Sequence, residues 1–441
     1  MNLVGASFDS LPPIDLPFRF FISGILFPIV LAILIVLSGE EPWLSRWHPT
    51  MLAITHGFTL GFLGCVMMGA LLQILPVVGG ISFPKVRLVA SYSHIFHLLG
   101  TLNLILAFIF PKPLFVISSI VFLFFGFVLY SSAALWAVFN TKSKSVTISG
   151  IRLAILLLIV TVVLGLFMQL RALGINLIGL DKIYTDIHAF WGLFGWISLL
   201  IIAVSFQVIP MFHVAPNFPA WLSNHLPSLM ALVLMLLVTT PLINNLMDEL
   251  VAILLVLQCL YCITLLIVMS RRKRKIPDTT INYWQLAALS FLLLSCFYFV
   301  PKQYINHSFY QELIAPKEEL LFAAVFIYFY LVSVLQGMLL KILPFLSYTH
   351  LQQRCLMNFS ALQFLPNMHE ILTKQHANIL FVLHCFSGLL LIFTILYPKL
   401  YWLLAALLFV EFSFLLAISL KVIRIYQVCS TKIIKQSEID N

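Results

Sequence analysis

Charge is what this sequence has least of. Only 9% of its 441 residues are Asp, Glu, Lys or Arg, and the acidic side chains number 16. A water-soluble chain of that length covers its surface with far more charge, so a soluble globular protein is excluded. Hydrophobic residues make up 62%, which points to a polytopic membrane protein. The net charge of +9 is then a topology signal, to be read loop by loop, and no nucleic-acid partner is expected. Cysteines are few and odd in number, seven, mostly inside apolar segments. No disulfide framework is implied. Cys259 and Cys262 form a C-x-x-C, but a redox or zinc pair needs polar partners and access, so the pair reads as packing. The start of the chain up to Pro17 carries Asp9 and Asp15 and lacks a basic n-region, so no cleavable signal peptide is expected.

What is present is long and apolar. Stretches able to cross a ~30 Å hydrocarbon core occur near 18–38, 51–76, 86–110, 113–139, 151–172, 186–212, 226–246, 249–270, 283–300, 318–346, 377–397 and 399–420. Within them one four-residue pattern recurs: Gln73-Ile74-Leu75-Pro76, Gln207-Val208-Ile209-Pro210 and Lys341-Ile342-Leu343-Pro344, each starting 134 residues after the last. A small residue, Gly69, Ala203 or Gly337, lies four positions before each. The equal interval predicts an internal triplication. The expected fold is all-α: a single membrane domain, 1–441, of twelve transmembrane helices as three four-helix repeats (1–145, 146–280 and 281–425) with pseudo-three-fold symmetry, then a cytoplasmic tail, 426–441. Proline has no backbone donor and disfavours helix just before it. The motif is therefore expected to stop spans two, six and ten, the longest three, with Gln73, Gln207 and Lys341 serving the carbonyls left open.

Lys and Arg set the orientation. With the N-terminus inside, 17 basic residues fall in inner segments and seven in outer ones, Lys341 lying within a span. Both termini are thus placed in the cytoplasm, with the chain in the cytoplasmic membrane. The run Arg271-Arg272-Lys273-Arg274-Lys275 reads as an anchor on anionic lipid. The longest loop, roughly 347–376, is inner, and its stretch Phe359 to Leu372 is either a short interfacial helix or a solvated linker.

Polar residues in the spans carry the functional signal, because an unmet polar group in hydrocarbon costs several kcal/mol. His56 lies 20 residues before Pro76 and His188 lies 22 before Pro210. At 1.5 Å per residue both sit about 30 Å from the proline end, at similar depth on equivalent helices. Two histidines facing each other in that way meet the needs of a six-coordinate haem; hydrogen-bonded structural histidines are the alternative. The third arm has Glu318, Glu319 and Ala324 there instead. A second group, His94 and His97 on one face of span three and His384 on span eleven, with His213 and His350 after the prolines, suits a second haem or a copper ion, or else a hydrogen-bonded vestibule. His48, His307, His369 and His376 fall in loops. Glu411, an acid inside span twelve, is a functional candidate, as a proton-relay element or paired with a Lys or Tyr. Lys341 can snorkel. Trp136, Trp191, Trp196 and Trp402 read as packing or interface residues. Gly57, Gly61, Gly64 and Gly69 make one face of span two small, for close helix packing or for a flat macrocycle.

The segment His56-Gly57-Phe58-Thr59-Leu60-Gly61-Phe62, followed by Gly69, Pro76 and Gly80, resembles the NnrS family of twelve-helix membrane haem proteins. It is also similar to helix two of haem-copper oxidase subunit I, where a His-Gly opens the helix, a Pro and Gly close it and a Phe-Pro follows, here Phe83-Pro84. That subunit too has twelve helices in three arcs of four. The resemblance covers about 30 residues by motif and implies an axial haem ligand at His56, with a role in nitrosative stress or redox-gas handling. The oxidase pattern of a His-x-x-x-Tyr on helix six, a His-His on helix seven and a His-x-His on helix ten is missing, which puts oxygen and NO reduction in doubt. The expectation is a haem-binding membrane protein with His56 and His188 as ligands. Its rivals are a transporter for a small solute, metal or haem, with Gln73, Gln207 and Lys341 lining inner mouths, and a non-catalytic assembly factor.

Overall fold

A computed structural model describes residues 11–175, 182–242, 246–300, 308, 310–356 and 359–440. Among them there is no strand, and twelve helices are long and apolar enough to cross a bilayer. They are α1 (Asp15–Ser38), α2 (Pro49–Gly79), α3 (Val86–Ile109), α4 (Pro113–Asn140), α5 (Val146–Ala172), α6 (Tyr184–His213), α7 (Ala220–Leu237), α8 (Leu246–Ser270), α9 (Thr279–Phe299), α10 (Tyr310–Cys355), α11 (Lys374–Leu396) and α12 (Pro398–Gln436). Each matches one apolar stretch of the sequence. Asp9, Lys302 and His307 lie outside the described residues.

The helices sort into two shells. The most apolar windows of α2, α6 and α10 are 83%, 78% and 72% buried, whereas no other span exceeds 50%. These three therefore form the interior, and the other nine turn one side outward. The small residue before each motif explains how the interior is reached. A Cβ on Gly69 would stand 2.8 Å from Phe20 Cβ of α1, one on Gly337 would stand 2.6 Å from Tyr283 Cβ of α9, and Ala203 lies against Gly150 of α5. In each case an inner helix crosses the helix directly preceding it at a point where only a small side chain fits.

The 134-residue interval recurs in the backbone. Eight-residue π-helical segments begin at Gly57, Trp191 and Val325, positions 134 apart. A π segment widens the helix and re-aims its side chains, which is why such segments gather at functional sites. The next shared feature is a left-handed residue at Gly80 (φ 63) and at Val214 (φ 51), again 134 apart.

Four expectations are corrected. The prolines do not stop their helices: α2 and α6 run three residues past Pro76 and Pro210, and α10 runs to Cys355. A proline forfeits only its own N–H bond, and the Gly80 N–H, bonding Pro76 O at 2.9 Å, completes the last turn. Gln73 serves no open carbonyl among the described residues; it is buried with neither side-chain polar atom bonded to any of them. Span six is not among the longest three, since α12 at 39 residues displaces it behind α10 at 46 and α2 at 31; the expected tail continues that helix. Finally, α7 starts at Ala220, just after Pro219, because Leu222 and Leu226 already pack inward. The stretch after α10 contains a 3₁₀ turn, Phe359–Phe364, and a short helix, Met368–Ile371, with Phe359 74% exposed.

Candidate functional site

His56 is the last α-helical residue before the first π segment, and His188 stands three residues before the second. The structure brings them together. Their ring centroids are 6.4 Å apart with planes 20° from parallel. His56 Nδ1 is 2.8 Å from Leu52 O, and His188 Nδ1 is 3.0 Å from Thr161 O. A carbonyl only accepts, so each Nδ1 carries the proton and each Nε2 is left with its lone pair. Neither Nε2 has a hydrogen-bond partner among the described residues, and both rings are only half-buried. Gly165 of α5 lies against the His188 ring, where a Cβ would meet Cε1 at 3.1 Å. Phe108 of α3 covers the His56 ring at 5.2 Å.

An ion-pair clasp stands beside this pair. Arg46, between α1 and α2, donates from Nη1 to Asp186 Oδ1 at 2.6 Å, and its Nε lies 2.6 Å from Glu319 Oε2. Asp186 is two residues before His188. One guanidinium thus ties together the ends of α2, α6 and α10, with α10 contributing the acid Glu319. Nothing in the spacing of the sequence marks Arg46 for this role.

The remaining histidines are dispersed. His94 Nε2 bonds Ser23 Oγ at 2.9 Å and its ring packs on Phe20, while His97 Nε2 bonds Leu60 O at 2.9 Å. His384 belongs to a different cluster. These three are not brought together, and among the described residues no group of three or more His, Cys, Asp or Glu could hold a metal ion. The glycine face of α2 is also closed to a macrocycle: Leu31 and Phe27 of α1 fill the space over Gly57 and Gly61, and Phe20 that over Gly69. Cys259 and Cys262 are free thiols. Trp191 and Trp196 are buried, whereas Trp136 and Trp402 are exposed.

Glu411 and His384 form the second polar centre. Both side chains are wholly buried, with His384 Nδ1 2.8 Å from Glu411 Oε1. Glu411 also accepts from Tyr328 Oη at 2.5 Å and from Gln336 Nε2 at 3.1 Å. Ser333 Oγ is 2.7 Å from His384 Nε2, and the Tyr328 ring stacks on the imidazole at 4.7 Å. Of these partners only Tyr was foreseen for Glu411; Gln336 was readable as a polar residue deep in an apolar span. Both nitrogens of His384 are in hydrogen-bond contact, with Glu411 and Ser333. Gln207 is exposed and Lys341 pairs with Asp278 at 2.6 Å.

The chain matches no protein-family model and no curated protein. The class it defines is therefore structural: a helical protein with twelve potential membrane spans, a facing pair of imidazoles and a buried carboxylate–histidine network.

Proposed function

We propose that the chain is an integral membrane haem-binding protein in which His56 and His188 would hold the haem iron. One observation carries this reading: two imidazoles from different helices, both Nδ1-protonated, with free Nε2 lone pairs and centroids 6.4 Å apart. Two neutral imidazoles from neighbouring helices, each with its Nε2 free of a hydrogen bond among the described residues, form a donor set that would suit a bis-histidine iron. Bound there, a haem would supply one-electron or gas-binding chemistry at its iron. The protein's part is to hold the ring tautomers through Leu52 O and Thr161 O, which also raises ligand basicity, and to keep α2 and α6 in register through Arg46.

The equal intervals of the motif, the π segments and the left-handed residues support a triplicated fold with pseudo-three-fold symmetry. The excess of Lys and Arg on the terminal face supports a cytoplasmic-membrane location with both termini inside. A role in nitric oxide or redox-gas handling rests on the resemblance to NnrS proteins. Copper between the same two nitrogens is a variant of the reading. Solute transport is the second reading, and a cavity at the proline-end face favours it.

The test is direct. Purify the protein in detergent after expression with ample haem, and record oxidised and reduced visible spectra with metal analysis. A Soret band with bis-imidazole low-spin character is expected. Absence of any band sinks the reading; copper without haem selects the variant; uptake into proteoliposomes without haem selects transport.

A further inference from the structure

A cavity of about 700 Å³ opens at the proline-end face, between the end of α6, the start of α9, α10 and the start of α11. Its polar wall is unusual for a chain so poor in charge. Arg274, Lys341 and Lys374 line it against a single carboxylate, Asp278. That carboxylate is already committed. It accepts from Lys341 Nζ at 2.6 Å and from Thr280 N at 3.0 Å as the cap of α9. Arg274 and Lys374 have no hydrogen bond or ion pair among the described residues, so the cavity retains two uncompensated cations.

His213 supplies an independent observation. It lines the same cavity, its side chain is 1% exposed, and neither ring nitrogen has a hydrogen-bond partner among the described residues. Asp278 Oδ2 is 3.7 Å from Nδ1, too far for a hydrogen bond. A buried imidazole without a partner costs free energy unless something outside the protein satisfies it. The next residue, Val214, also in the wall, holds φ 51 where the first arm has Gly80. A β-branched residue in that region is strained, and it is held there by the Lys273 N–H bonding Val214 O at 3.0 Å. Strain of this kind persists where the surroundings over-determine it, often at binding sites.

We propose that this cavity is a binding site for a phosphate-class oxyanion, with Arg274 and Lys374 at the rim and His213 donating from the floor. Arg presents a planar fork that matches phosphate oxygens and Lys a point charge. The apolar part of the wall, with Phe212, Phe345 and Leu372, suits an organic body attached to the phosphate. The ligand is thus either a soluble phosphate ester or the headgroup of an anionic phospholipid. The proposal does not depend on haem at His56 and His188.

The test uses the full chain, delipidated in detergent, with radiolabelled inorganic phosphate in equilibrium dialysis. In parallel, native mass spectrometry follows lipid retained from nanodiscs of phosphatidylglycerol or phosphatidylcholine. Phosphate binding that the exposed-rim double variant R274Q/K374Q weakens about tenfold or more assigns a soluble ligand. Preferential retention of phosphatidylglycerol, lost in the same variant, assigns a headgroup. His213→Leu, which keeps the packed volume, weakens whichever binding is seen. No binding of either probe, or binding unchanged in R274Q/K374Q, overturns the proposal, and the haem spectrum of that variant stays as in the parent.

Discussion

Glu411 and His384, on α12 and α11, share a hydrogen bond of 2.8 Å with both side chains wholly buried. The carboxylate has three donors around it, and one of them, Tyr328, stacks on the same imidazole. Removing one partner of such a pair leaves the rest unpaired in a low-dielectric interior, which costs about 3–5 kcal/mol. Glu411→Leu is therefore expected to destabilise the protein by that order, while Glu411→Gln, which keeps the shape and one acceptor oxygen, loses less. Denaturant or thermal unfolding in detergent checks the ranking; equal stability of Glu411→Leu and the parent contradicts it.

The paired imidazoles make the second prediction. The proposed haem site predicts that His56→Ala and His188→Ala each convert a low-spin spectrum to a high-spin one or abolish the band. Because each Nδ1 rests on a backbone carbonyl, of Leu52 in α2 and of Thr161 in α5, a side-chain substitution at Leu52 or Thr161 should perturb the band less than loss of either histidine. An unchanged spectrum in either variant removes that residue from the site.

Arg46 joins Asp186 and Glu319 at a partly exposed position, the three side chains being 29%, 29% and 66% accessible. Pairs of this exposure contribute only about 0–1 kcal/mol to stability. Arg46→Gln should accordingly shift the melting temperature little. Its effect should appear in the haem band or reduction potential, because Asp186 lies two residues before His188. A large loss of stability with an unaltered spectrum would contradict this assignment.

Helix crossings give the fourth. Gly337 has no room for a side chain, with Tyr283 Cβ and Cγ at 2.6 and 2.9 Å from the position of its missing Cβ. Overpacking of this kind costs typically about 1–3 kcal/mol. Gly337→Ala should lower the unfolding midpoint. Gly39→Ala meets no atom within 4 Å, but its φ of 70° makes it a control for backbone strain alone.

The fifth concerns pH. Burial raises the Asp278 carboxyl, but the charge and hydrogen bond of Lys341, with help from Thr280 and His213, outweigh it, and the group titrates below the usual carboxylate range. A group whose folded value is depressed contributes stability above its unfolded value of about 3.9 and loses it as pH falls through the folded value. Lys341→Met should thus destabilise the protein at neutral pH, with the difference from the parent shrinking below about pH 4. A difference that stays constant from pH 7 to pH 3 would separate Lys341 from Asp278.

Much of the architecture was legible in the chain because membrane spans obey a one-dimensional rule. Backbone groups in hydrocarbon must be satisfied within the helix, so length and hydropathy alone locate all twelve helices. The 134-residue interval marked α2, α6 and α10 as special, and burial places those three inside. The depth of His56 and His188 followed from counting residues to a shared proline. Where that one-dimensional ruler failed was at local backbone chemistry: Pro76 and Pro210 sit one turn inside the helix end, because a single missing donor does not break a helix that the next residues can close.

What the sequence could not decide was which polar residues meet. Glu411 was visible as an acid in an apolar span, yet its partners come from α10 and α11, up to 83 residues away in the chain. His384 was grouped with His94 and His97 by depth, and only the tertiary fold showed that it turns to Glu411 instead. Arg46 looked like one of seven outer charges and proves to bridge three helix ends. Periodicity and composition determine which segments enter the membrane, since each helix satisfies its own backbone. The azimuth of every side chain is set by how neighbouring helices pack, so the facing of His56 with His188, the burial of Glu411 on His384 and the cationic cavity around His213 exist only in three dimensions.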